Sequence, residues 1–246
     1  MPTKVLKHPP IKEAIISVSF KDHVDVERFN NFRECTFIKE KYPIHNNIMT
    51  FEVQDDRRKN ISSITTAQRQ EGFILSCGQE CNKAIQVKIG QLSFHNTNIY
   101  LGWEDFYEEF RTIWKNYCET VGRMDLTQIS VRYINQLYFD LPLKNGFGEY
   151  LLLLPSIPKG VSKNVNNFFI QLNVPNDKGT LTGIITETFG KSPNNKLQLI
   201  LDLNVLKQQT FLCNSNEMWE SFNEIREFKN LLFFSCLTDK TIEKYE

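Results

Sequence analysis

The stretch from Thr127 to Asp140 (TQISVRYINQLYFD) constrains the fold more than any other part of this chain. It is rich in β-branched and aromatic residues and contains neither Gly nor Pro, so it reads as one long β-strand. Side chains alternate across a strand, which puts Ile129, Val131, Tyr133, Leu137 and Phe139 on one face. Ser130, Arg132, Gln136 and Tyr138 fall on the other, with Ile134 the one apolar residue there. A long strand with one dry face and one polar face belongs inside a sheet. The rest of the chain then reads as two similar halves on either side of the start of this strand.

The first half opens with a strand at Ile11–Phe20, after Pro9 and Pro10. Asp25 is placed to cap a helix that runs to about Tyr42 and ends at Pro43. Strand-like pieces follow at Ile48–Gln54, Phe73–Cys77, Ala84–Ile89 and Leu92–His95, with the polar run Asp55–Asn60 as a connection. The clearest helix covers Trp103–Val121. There Phe106, Tyr107, Phe110, Ile113, Trp114, Tyr117, Cys118 and Val121 recur at three and four residues, and Gly122 marks the stop. Such a continuous stripe opposite a charged face is core rather than a cofactor site.

The second half begins with the long strand. A short helix is expected around Glu149–Leu154, before Pro155 and Pro158. Strands are expected at Phe168–Val174, Thr180–Thr188 and Lys196–Val205, joined by turn residues at Asn176–Gly179 and Ser192–Asn195. A last helix starts near Ser215 and carries Trp219, Phe222 and Ile225.

The order of elements therefore predicts an α+β fold of two similar β-α-β-β-β(-β)-α halves, 1–125 and 126–246, packed as one continuous unit. Each half supplies a curved antiparallel sheet with helices on one face, and the two first strands pair at the junction. In element order this resembles TATA-binding-protein-like or helix-grip folds.

Composition excludes several functions. Lys plus Arg and Asp plus Glu each number 29, and the formal net charge is zero, which argues against a surface built to neutralise nucleic-acid phosphates. The N-terminal residues lack the apolar core of a signal peptide, and no apolar run approaches the ~18 residues of a membrane span. A cytoplasmic chain without membrane association is expected. Its six cysteines, at 35, 77, 81, 118, 213 and 236, are then expected as thiols. Cys77 and Cys81 are the one close pair, and no second Cys/His pair completes a zinc site. No metal and no cofactor are expected.

Three segments together resemble a known family: Pro10 to Ala14 (PIKEA), Arg132 to Asn135 (RYIN), and Lys229 to Thr238 (KNLLFFSCLT). It is a sporadically distributed bacterial family of about this length with no assigned activity. The resemblance carries no catalytic residues. A patchy distribution is typical of mobile genes, so it implies a phage-defence or toxin–antitoxin setting, with a neighbouring effector or toxin as partner.

Among polar residues, Arg132, Asn135, Gln136 and Tyr138 are the candidate ligand contacts. A guanidinium matches carboxylates and phosphates bidentately. The competing structural reading pairs Arg132 with Glu13, and has Asn135 bond backbone at a bend or bulge. No nucleophile elbow, phosphate loop or dinucleotide fingerprint is present. The expected function is a non-enzymatic binding or regulatory module for a protein segment or small ligand, compatible with a homo-oligomer. The alternative is a sensor or enzyme for a small phosphorylated or nucleotide-like ligand, with Arg132 as its anion contact.

Overall fold

The computed structural model describes residues 6–21, 26–55, 64–78, 81–97, 100–143, 146–160, 167–191 and 196–246. Its strands are β1 (Ile11–Phe20), β2 (Ile44–Asp55), β3 (Ile64–Ser76), β4 (Lys83–Lys88), β5 (Gln91–Thr97), β6 (Leu126–Asp140), β7 (Phe169–Pro175), β8 (Thr182–Lys191) and β9 (Lys196–Phe211). The helices are α1 (Val26–Glu34), α2 (Thr36–Lys41), α3 (Trp103–Thr120), α4 (Asn216–Cys236) and α5 (Asp239–Ile242). Among the described residues the strands form one nine-stranded antiparallel sheet, ordered β2-β3-β4-β5-β1-β6-β9-β8-β7. It is curved and not closed.

The fold is α+β, as expected, and the first strands of the two halves pair with each other. β1 runs antiparallel to β6 through Ala14↔Tyr133, Ile16↔Val131 and Val18↔Ile129. Opposed residues in a sheet share a face. The same row continues onto β5 through Ile16↔Phe94 and Val18↔Leu92, and onto β9 through Val131↔Val205 and Tyr133↔Leu203. Every one of these residues is buried, because α3 and α4 lie over this face. Phe106 of α3 stacks on Phe94 at 5.1 Å, and Tyr117 of α3 meets Phe20 at 5.9 Å. The two long helices meet each other through Phe110 and Phe222, whose rings lie edge to face at 5.7 Å.

Ser215 caps α4 by accepting a bond from Met218 N, and Asn176 closes the β7–β8 turn by accepting from the backbone of Thr180 and Leu181.

Several boundaries differ from expectation. The single helix expected from Asp25 to Tyr42 is two, broken at Cys35; Asp25 itself lies outside the described residues. β2 and β3 form a longer hairpin than their apolar runs indicate, with Asp55 inside β2, and 56–63 lie outside the described residues. The turn expected at Ser192–Asn195 also lies outside them. In place of the helix at Glu149–Leu154 there is one 3-10 turn, Phe147–Glu149, followed by extended chain. Leu151 bridges to Leu237, and the Leu152 N–H donates to Cys236 O. The apolar run Leu151–Leu154 lacks the spacing of an amphipathic helix, and its backbone finds partners on the end of α4 instead.

Candidate functional site

The structure divides the candidate contacts between the two faces of β6. Arg132, Gln136 and Tyr138 lie on the face away from the helices, and Asn135 lies on the helix face. Arg132 does not pair with Glu13. Its Nε and Nη2 donate to the two carboxylate oxygens of Asp202 at 2.9 and 2.5 Å. Register offers both acids alike, since Ile134 is opposite Asp202 on β9 and Glu13 on β1, each one diagonal step from Arg132 on the same face; what separates them is the partner that Glu13 finds on β5. Glu13 instead takes His95, with Nδ1 2.8 Å from its Oε1, and His95 Nε2 is 2.9 Å from Ser93 Oγ. That hydrogen bond holds the Glu13 carboxyl below its usual range, and Arg132 adds only a weaker, longer-range effect.

A double-mutant cycle on Arg132→Met and Asp202→Asn is expected to show a coupling of about 0.5–1 kcal/mol, modest because Arg132 remains partly hydrated. The Arg132–Glu13 cycle is expected to show almost none. A larger coupling to Glu13 than to Asp202 would contradict the pairing.

Ser93, His95 and Glu13 are connected in the order nucleophile, base, carboxylate. Their surroundings do not support acyl chemistry. Ser93 is only 3% exposed, and β5 is paired on both sides, so its backbone N–H groups are engaged in the sheet rather than aimed at an oxyanion. The chain is a polar staple between β1 and β5.

The helix face carries the better site. A cavity of about 250 Å³ opens where residues 6–10, β6, the entry to α3 and the middle of α4 meet. The local sequence accounts for it. Pro9 and Pro10 keep the incoming chain extended, and the register of β1 on β6 slips between Ile11 and Glu13. Pro10 O accepts from Gln136 N at 2.7 Å. Asn135 lies opposite this slip and donates through Nδ2 to Leu201 O at 3.0 Å, so it bonds backbone at a bulge and also lines the cavity. Gly102, at φ 140°, turns the chain into α3 at the rim in a conformation that favours glycine.

α4 contributes Arg226, Lys229, Asn230 and Phe233, which recur at three and four residues along one side. Arg226 is tied to Glu104 at 3.0 Å and lies over the Trp103 ring. Tyr100 and Tyr133 share a hydroxyl hydrogen bond of 2.6 Å, with their rings edge to face. Burial pushes the Tyr100 hydroxyl up to about 12 and that of Tyr133 further, so both stay protonated. Lys229 places Nζ 3.9 Å from the centre of the Tyr133 ring and has no acid partner among the described residues. Burial, with Arg226 nearby, pushes its amine down to about 7.

The segments PIKEA, RYIN and KNLLFFSCLT all reach this cavity: Pro10 and Ile11 from the first, Tyr133 and Asn135 from the second, Lys229, Asn230, Phe233 and Phe234 from the third.

The cysteines differ from expectation at one place. Cys77 and Cys81 are joined as a disulfide, with Cα atoms 5.3 Å apart, rather than standing as thiols. Gly78, next to Cys77, has φ 107°, and its carbonyl accepts from Cys81 N at 3.3 Å. Cys118 and Cys213 are thiols with sulfurs 3.4 Å apart. Among the described residues no three His, Cys, Asp or Glu side chains gather as a metal site, and no helix is long and apolar enough to cross a membrane.

No family model and no curated protein matches this chain.

Proposed function

We propose that this protein is a non-enzymatic binding module whose ligand is a small molecule held in the cavity between β6 and α4. The observation that carries this reading is the cavity's lining: apolar and aromatic walls around a few convergent polar groups, one of them an amine with no acid partner among the described residues. Such linings orient a ligand by its polar group and hold it by its apolar body.

Size and charge narrow the ligand. Drug-sized sites run to ~300–1,000 Å³, and this cavity, at about 250 Å³, suits something smaller than a nucleotide. Arg132, the anion contact of the nucleotide reading, lies on the opposite face with its guanidinium already matched to Asp202.

Benzyl alcohol serves as a shape probe. The chain has three Trp residues, and one of them, Trp103, lines the cavity, while Trp114 is fully buried elsewhere in the core. In a titration followed by indole ¹⁵N–¹H resonances, the Trp103 signal is expected to move saturably while that of Trp114 stays fixed. A Trp103 signal that does not move would overturn the site.

A further inference from the structure

We propose that Lys229 is an imine-forming amine, and that the cavity takes a small carbonyl compound, an aldehyde or ketone with an apolar or aromatic body. This rests on the reading of the cavity as a ligand site and names the chemistry of its occupant.

The geometry supplies what such an amine needs. Lys229 lies in the cavity wall, half-buried, against the face of Tyr133, with Phe233 one turn further along α4. Among the described residues no carboxylate bonds to it. Among the described residues, the titratable groups that line the cavity with it are Arg226 from its own helix, Tyr133 of β6, Tyr100 at the entry to α3, and Lys7 from the chain ahead of β1. Glu104 of α3 is committed to Arg226. A lysine desolvated among apolar groups and next to another cation is a standard way to obtain a neutral amine near pH 7, and the direction at Lys229 agrees.

The step balances without a further reactant. The Nζ lone pair attacks the carbonyl carbon, a C–N bond forms, and the carbonyl oxygen gains a proton that the nitrogen gives up. The carbinolamine then expels its hydroxyl with the second nitrogen proton as water, leaving a C=N bond. Nothing is oxidised or reduced. Apolar walls favour the imine by limiting the water that would hydrolyse it.

Benzaldehyde with cyanoborohydride tests the proposal on the intact, unmodified chain near pH 7. Reduction converts an imine into a stable benzyl-lysine that peptide mass mapping locates. The expected result is one benzyl group on Lys229, at least about tenfold faster than on any exposed lysine. Lys229→Arg should lose that label, and benzyl alcohol should slow it. Exposed lysines such as Lys115, whose side chain is 73% accessible, give the reference rate. Labelling spread over the surface lysines with Lys229 no faster would overturn the proposal. If benzyl alcohol still moved the Trp103 resonance in that case, the amine chemistry would fall and the cavity would stand. Failure of both would remove both.

Discussion

Replacing Glu187 with Gln is expected to leave stability almost unchanged near pH 4 and to raise it by about 4–5 kcal/mol near pH 9. Glu187 lies on β8 in the row of Leu181, Ile185 and Phe189, beneath α4. It is fully buried, and neither carboxyl oxygen has a hydrogen-bond partner among the described residues. Burial pushes its carboxyl from the ordinary 4.5 up to about 8, so the fold holds it protonated. Burial pushes the nearby Cys236 thiol up to about 12, with a smaller contribution from Glu187 once it ionises.

A carboxyl with its folded value raised stabilises the fold fully below about 4.5, and that contribution drains away as the pH rises through about 8. Gln keeps the shape and removes the ionisation. Lys229 acts in the opposite sense, since its lowered value makes the fold gain stability as the pH rises from about 7. That effect is common to both chains and cancels in the difference. Urea melts of wild type and Glu187→Gln across this range make the measurement; two curves that run parallel would contradict the assignment.

Phe110→Ala is expected to cost about 3–5 kcal/mol, the range for emptying a large aromatic site in a core. The ring is fully buried on α3 and meets Phe222 of α4, so the cavity would open where the helices of the two halves touch. Trp114→Ala should fall in the same range, since its ring is equally buried and stacks on Tyr117 at 5.7 Å. Denaturant midpoints check both. Unchanged midpoints would mean that the aromatic stripe is a surface for something else.

The dry face of β6 and the stripe of α3 were legible because period-two and period-3.6 patterns survive any change in tertiary partner. Ile129, Val131, Tyr133, Leu137 and Phe139 are each at most 1% exposed. Arg132 shows the limit. Its strand and face were readable, but its partner depends on which strands flank β6 and on His95 of β5 occupying Glu13, and nothing local to β6 encodes either. Glu187 is legible in the same way: alternation places it squarely among Ile185 and Phe189. The cavity was not readable as a site. It draws on segments more than a hundred residues apart, and in the sequence Lys229 is one residue of the motif ending at Thr238. Its special character comes from Tyr133 and Arg226, and only folding brings Tyr133 beside it.

Native mass spectrometry of the protein purified from its own host tests the central claim most directly. The account predicts a one-to-one mass excess of a small organic molecule. Asn230→Trp, which fills the cavity from α4, should abolish that excess while the chain still folds. A bare chain, a chain carrying a second polypeptide in place of a small molecule, or an excess that survives Asn230→Trp would contradict it.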